Sequence, residues 1–341
     1  MRLQWSCRAT VITVLVVSLG FLISPSRAQA VSSFGGQATG VQVFVPATGL
    51  TIKAASGELP PTGGEVDASL LSGDIPGSAT GGVVALAAGT LHSVAVGLDE
   101  TDTETSMANV DLTVSGNGIT SDFVMARSNA SCGPAVAGSS QLQNLVINGQ
   151  PITVTGNPNQ TVSLPNGTAT INEQTPAVAG STAELRVVAL HVITIDAITG
   201  QVLADVQLAI ADAMIDCHAG SGPPGDATTG GGWIPASGAT GTFGFVASTD
   251  GTITKGHVVY IDHGMAFSLQ STSITDFIPG CTSTISGTAN GGSVNFQVTV
   301  TDNAEPGAGS DTFRIDVPAL AYIRTGTLGG GNIQVHRMPC R

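Results

Sequence analysis

The chain reads as all-β, in two β-rich domains of which the second is an antiparallel β-sandwich, and three observations carry that expectation. Apolar and polar residues alternate with a period of two in short runs, as where Phe296, Val298 and Val300 interleave with Asn295, Gln297, Thr299 and Thr301. The runs are punctuated by Asn-Gly and Asp-Gly pairs, whose tolerance of positive φ suits the central positions of a tight hairpin turn. Glycine is abundant, at 45 of 341 residues and without a three-residue period, while aromatic residues make up only 4%. That composition implies many turns and a core filled by Val, Ile, Leu, Ala and Thr.

Residues 1–30 read as an export signal. Arg2 and Arg8 precede an apolar run from Ala9 to Ile23, and Ala28-Gln29-Ala30 forms an A-x-A cleavage site. The run is shorter than the roughly 20 residues that a bilayer span needs, so no membrane span is expected after cleavage. Without these residues, 8 basic and 24 acidic side chains remain, a formal net charge of 8 − 24 = −16. Such a chain repels phosphate backbones and anionic lipid, which argues against nucleic-acid binding.

From Val31, two short alternating runs separated by Gly and Pro suggest paired strands, and Pro60-Pro61 marks a loop. Strands are expected again from Gly81 to Leu98 and from Met107 to Val114. The acidic stretch DETDTET at 99–105 between them reads as a solvated loop, since its carboxylates lack EF-hand order. A strand from an Asn117-Gly118 turn to Cys132 leads into two hairpins centred on Asn148-Gly149 and Asn166-Gly167. Residues 183–217 follow. Their first half is a strand, and their second half fits helical and strand periods alike, with strand preferred. His191 shares a parity with Val187, Ala189 and Ile193, which predicts a hydrogen-bonded interior histidine.

Residues 31–217 form the first domain, 218–231 a Gly/Pro-rich linker, and 232–341 the second domain. Charge balance supports the division, with 3 basic and 16 acidic residues before position 218 and 5 and 8 from there on. Short strands at regular spacing, with turns at Asp250-Gly251 and Asn290-Gly291, suggest the sandwich.

After loss of Cys7 with the signal, Cys132, Cys217, Cys281 and Cys340 remain, with no CxxC or zinc-ligand spacing. An oxidising compartment then favours two structural disulfides. Three connectivities are possible, and proximity within each domain favours Cys132 with Cys217 and Cys281 with Cys340.

The stretch from Cys132 to Gln174, with Leu190-His191 downstream, resembles the choice-of-anchor P family of exported bacterial proteins. The matching positions include Gly138, Asn144, Leu145, Asn148, Gly149, Pro158, Asn159, Asn172, Glu173 and Gln174. The second domain, through GGGWI, GHVVYIDH and TDNAEPGAGSDTF, is similar to the domain that often follows in that family. The resemblance implies secreted or surface-exposed β-rich proteins with varied C-terminal sorting signals, and no established activity. The MPCR ending departs from anchored members, having no apolar helix, basic tail or sortase-like motif.

Three residue sets bear on chemistry. Asp302, Asn303, Glu305 and Asp311 place hard oxygens around a Gly-rich loop and make calcium the candidate cofactor, against the reading of a self-capping polar turn. His257, Asp262 and His263 include two histidines of one parity and an Asp facing the other way, so a metal or acid–base role would need distant partners. Asn172-Glu173-Gln174 offers a lone carboxylate for glycoside chemistry, which requires a second one. No HExxH or GxSxG motif accompanies them. The expectation is a non-catalytic exported module, structural or adhesive, with a surface, matrix or glycan partner. The alternatives are a secreted hydrolase assembled from distant loops and a calcium-stabilised binding module.

Overall fold

A computed structural model describes residues 33–217, 225–236, 238–337 and 340; the expected export signal lies outside them. The chain is all-β. The N-terminal domain contains β1 (Ser33–Val45), β2 (Leu50–Glu58), β3 (Gly64–Asp67), β4 (Leu70–Ile75), β5 (Val84–Gly97), β6 (Thr101–Val114), β7 (Asn117–Ser131), β8 (Ala135–Gln143), β9 (Val146–Ile147), β10 (Gln150–Pro151), β11 (Gln160–Leu164), β12 (Gly167–Ala179), β13 (Thr182–Ile195) and β14 (Val202–Asp216). The C-terminal domain contains β15 (Asp226–Ala236), β16 (Ala239–Thr249), β17 (Thr254–Asp262), β18 (Phe267–Ile278), β19 (Thr282–Ala289), β20 (Val294–Thr301), β21 (Thr312–Val317), β22 (Tyr322–Thr327) and β23 (Gly330–His336).

These strands form three antiparallel sheets. An outer sheet runs β11-β12-β13-β14-β1-β2, and a middle sheet runs β10-β9-β7-β6-β5-β3, with β8 on β7 and β4 on β5. The two pack face to face over a core of Val, Leu, Ile and Ala that includes Val43, Leu91, Leu112, Ile171 and Leu208. The third sheet runs β22-β21-β20-β19-β18-β17-β16-β15-β23. Its β15 and β16 lie against β6 and β5, so the middle sheet is covered on both faces.

The third sheet turns a corner at β18. Residues up to Gln270 pair with β17, those from Ser271 pair with β19, and the register slips between Ser271 and Ser273 and between Ile274 and Asp276. Strands that switch layers through such irregularities make the corners of folded-over sheets. The two halves enclose an aromatic core, with Phe243 and Phe313 stacked at 4.0 Å and Phe267 and Tyr322 at 3.9 Å. The expected sandwich is thus one sheet folded upon itself.

Asn148 (φ 50°) and Gly149 (φ 75°) form the expected tight turn between β9 and β10. The next hairpin turns one residue earlier than expected, at Pro165-Asn166, and Gly167 already pairs with Leu164. Glycine is needed at 167 for another reason: a Cβ there would lie 2.0 Å from the Ile193 carbonyl oxygen. Likewise Ser115-Gly116, not Asn117-Gly118, joins β6 to β7. Asn117 instead donates to the Val114 carbonyl and to Asn166 Oδ1.

A crease crosses the outer sheet. Pairing skips one row as it passes from Ile171–Leu190 to Glu173–Val188, and the same step recurs across β14, β1 and β2. Asn172, Ala209 and Ala55 take positive φ along it. The inward phase of β13 therefore changes from Leu185, Val187 and Ala189 to Leu190 and Val192. His191 is thereby turned to the outer face, which corrects the interior placement that parity alone suggested.

Two further expectations change. Residues 99–105 are not a solvated loop, because from Thr101 they are buried strand β6. The segment read as a linker, 218–231, becomes strand at Asp226; residues 218–224 lie outside the described residues, while Gly230, Gly231 and Gly232 pair with both β16 and β23.

Candidate functional site

Sequence alternation explains what the buried acidic stretch does. In Thr-Asp-Thr-Glu-Thr-Ser, the odd threonines face the outer sheet, where Thr101 Oγ1 donates to the Met214 carbonyl. The even residues Asp102, Glu104 and Ser106 face the C-terminal sheet. Glycine makes room for them there. A Cβ on Gly231 would lie 2.6 Å from His92 Cδ2 and 2.7 Å from Ser106 Oγ, and one on Gly244 would lie 2.6 Å from His92 Cβ.

A polar seam crosses this interface. It begins in β17, where His257 Nδ1 lies 2.9 Å from Asp67 Oδ2. Ser69 Oγ–H donates to Asp67 Oδ1, and His92 Nδ1 lies 3.0 Å from Ser69 Oγ. His92 Nε2 then faces Glu104 Oε1 at 3.6 Å, and Glu104 Oε2 faces Arg127 Nε at 3.5 Å. Arg127 returns the seam to the C-terminal domain through Glu305 and, at 2.8 Å, through Gln334 Oε1. A branch at Asp102 accepts from Asn129 Nδ2 at 2.8 Å and from Gln334 Nε2 at 3.2 Å, with His336 Nδ1 at 3.3 Å.

The protonation states follow from donor and acceptor chemistry. An ionised Asp67 only accepts, so Ser69 must donate to it, and His92 must donate to Ser69 through Nδ1–H. That tautomer leaves a bare lone pair at Nε2 aimed at Glu104. At 3.6 Å this is a facing contact and not a hydrogen bond, and a carboxylate there would bring a buried charge against another acceptor, which a protonated acid avoids. Electrostatics agree. Burial pushes Glu104 up to about 8 despite Arg127, and burial pushes His92 down to about 4. Burial also acts to raise Asp67 and Asp102, but their contacts with His257 and His336 outweigh it and hold both carboxyls low.

A cavity adjoins each end of the seam. One of about 370 Å³ is lined by Glu65, Asp67, Ser69 and His257, and one of about 410 Å³ by Asp102, Arg127, Asn129, Glu305 and Gln334.

The residues singled out from sequence are dispersed. The calcium set does not assemble: among the described residues no three His, Cys, Asp or Glu side chains form a metal-ligating group. Asp311 accepts from the Asn303, Ala304 and Ile333 amides, and Asp302 Oδ2 accepts from the Val335 amide. Asn303 donates to the Ser310 carbonyl, and Glu305 meets Arg127. These oxygens serve the self-capping turn and the domain interface.

Of the second set, His257 joins the seam, and His263 Nε2 lies 3.0 Å from Thr242 Oγ1 and 3.4 Å from Asn109 Nδ2. Asp262 points the other way, as its parity requires, and accepts from Tyr322 Oη and Arg324 Nε. In the third set, Asn172 donates to the Gly156 carbonyl and Gln174 to that of Gly138. Glu173 binds His191, whose Nε2 lies 2.9 Å from Asp205, so an imidazole fills the space between the two carboxylates. Both disulfides pair as expected, Cys132 with Cys217 and Cys281 with Cys340.

Ser69, His92, Glu104 and Arg127 had no sequence motif to announce them. The available signals were the period-two Thr/acid alternation from 101 to 106 and the three glycines opposite it. Comparison of the chain with known family models, curated proteins and solved structures gives no match.

Proposed function

We propose that the chain is an exported, non-catalytic β-rich protein of the choice-of-anchor P kind, acting at the cell surface or in the extracellular matrix as a structural or adhesive module. One observation carries this reading: the groups best suited to proton chemistry, His92 at 0% exposure and Glu104 at 4%, are enclosed between sheets, where they join layers. Two disulfides, and the lack of any membrane-crossing helix among the described residues, fit an extracellular setting.

A secreted hydrolase is the rival, favoured by one contact. Ser69 borders the cavity of about 370 Å³ with a histidine nitrogen 3.0 Å from its hydroxyl, although hydrolysis requires that nitrogen to be bare, the opposite of the tautomer assigned above. The deciding experiment pairs a glycan and cell-binding screen of the exported protein with a broad panel of ester, peptide and glycoside substrates. Binding without turnover is expected. Turnover that disappears in Ser69→Ala would replace the structural reading with the hydrolytic one.

A further inference from the structure

The interface between the middle and C-terminal sheets is held differently from the two domain cores. Each domain has its own apolar core and its own disulfide, and neither disulfide crosses between them. The apolar contact across the interface is small, comprising Val94, Val96 and Leu98 against Ala227 and Val246. Polar contacts supply the rest. Neutral hydrogen bonds such as Thr90–Thr242 and Trp233–Gln143 cross it, and the ion pairs Asp67–His257, Asp102–His336, Arg127–Glu305 and Asp99–Arg337 each join one domain to the other. Forces of this kind depend on protonation in a way that apolar cores do not.

We propose that this interface is an acid–base clasp, which holds the C-terminal sheet against the middle sheet over a bounded pH range and releases it, with both domains still folded, when its buried groups change charge. Release uncovers the polar face of β5, β6 and β7. The inference stands on the geometry of the interface and goes beyond the structural or adhesive reading.

The groups that bear on the clasp come from every element around it. His92 meets Asp67 and Ser69 from the β3–β4 edge, Glu104 from β6, the charge of His257 from β17, and the bare backbones of Gly231 and Gly244 from β15 and β16. Glu104 meets His92 from β5, Arg127 from β7, Asp102 on its own strand, Asp311 beside β21 and Gly231 from β15.

Glu104 is raised from 4.5 to about 8, so its contribution to closure is complete below 4.5 and is lost as pH rises to about 8. His92 is lowered from 6.5 to about 4, so its contribution is complete above 6.5 and is lost as pH falls to about 4. Asp67 and Asp102 are held low, and their contributions disappear in stronger acid. Between 4.5 and 6.5 the two main slopes cancel. Above 6.5 closure weakens by up to about tenfold per pH unit, roughly tenfold in all by pH 8, where Glu104 is half ionised in the closed form as well.

Trp233 is a built-in reporter, since its Nε1–H donates across the interface to Gln143 Oε1 at 2.8 Å. The test follows Trp233 emission and far-ultraviolet dichroism together from pH 3 to 9, in the full chain carrying Trp5→Phe. Emission is expected to move to longer wavelength below about pH 4 and above about pH 8 while the strand dichroism persists. Glu104→Gln should erase the alkaline change and keep the acid one; His92→Asn should keep the alkaline change and move the acid one to lower pH. The proposal is overturned if emission and dichroism change together, if emission stays constant across the range, or if Glu104→Gln leaves the alkaline change in place.

Discussion

Replacing Glu104 by glutamine should stabilise this protein, by an amount that grows with pH. Glutamine has the shape of the protonated acid, and its amide can donate to the bare His92 Nε2. Arg127 keeps Glu305 as its ion-pair partner. In the unfolded chain Glu104 ionises near 4.5, but in the fold only near 8, so between those values unfolding gains the free energy of releasing a proton that the fold retains. At about 1.4 kcal/mol per pH unit, the wild type forgoes roughly 3 kcal/mol at pH 7 and at most about 5 kcal/mol at pH 8, all of which glutamine avoids. Near pH 4.5 the two proteins should be almost equally stable. Urea unfolding at pH 4.5, 6, 7 and 8 measures the difference, and a rise in melting temperature on the order of 5 °C at pH 7 should accompany it. If glutamine instead destabilises by the same amount at pH 4.5 and pH 7, Glu104 is ionised and bound to Arg127, and the protonation scheme is wrong.

Gly231→Ala should cost about 1–3 kcal/mol through collision with His92 and Ser106, whereas Gly118→Ala, with open space around it, should stay within about 0.5 kcal/mol; equal melting temperatures for the two would dismiss the close-packed seam. Asp311→Ala strips three backbone amides of their acceptor and should cost at least about 2 kcal/mol, while added calcium should leave the wild-type melting temperature unchanged; a calcium-dependent rise would restore the cation reading. Replacing Cys132 and Cys217 by serine frees a loop with a sequence separation of 85 and should cost about 3–5 kcal/mol, read from unfolding midpoints. Burial lowers the His191 pKa, but the bonds to Asp205 and Glu173 outweigh it, so its ring should titrate above 6.5 by NMR and its stabilising contribution should be present below 6.5 and fade as pH rises through the shifted value; a midpoint below 6.5 would contradict those bonds.

Much of the architecture was legible because period-two alternation and turn chemistry are local. The strands β13 and β14 and the Asn148-Gly149 turn follow from such signals, and both cysteine pairs follow from proximity within each domain. Misreadings arose wherever a distant partner decides the outcome. Asp102 and Glu104 look like solvated charges until a second domain covers them, and Gly230-Gly231-Gly232 looks like linker until it is seen to seat their side chains. His191 lies on the face opposite to the one its parity suggests, because the crease through Asn172, Ala189 and Ala209 shifts the alternation, and nothing in β13 alone marks that row. Asn166-Gly167 and Asn117-Gly118 drew the turns one or two residues too far along, since Pro165 and Ser115-Gly116 provide equally good corners and neighbouring strands fix the register. Ser69 is separated from His92, and Glu104 from Arg127, by a whole strand and a turn, so no motif spacing links the four.

The joining of the layers by neutral groups at the centre of an otherwise charged seam is tested most directly by infrared difference spectroscopy of wild type against Glu104→Gln at pH 7. The carbonyl band of a protonated carboxylic acid, lost in the variant and weakening in the wild type as pH passes about 8, is the expected result. A carboxylate band at pH 7 that the variant removes would contradict it.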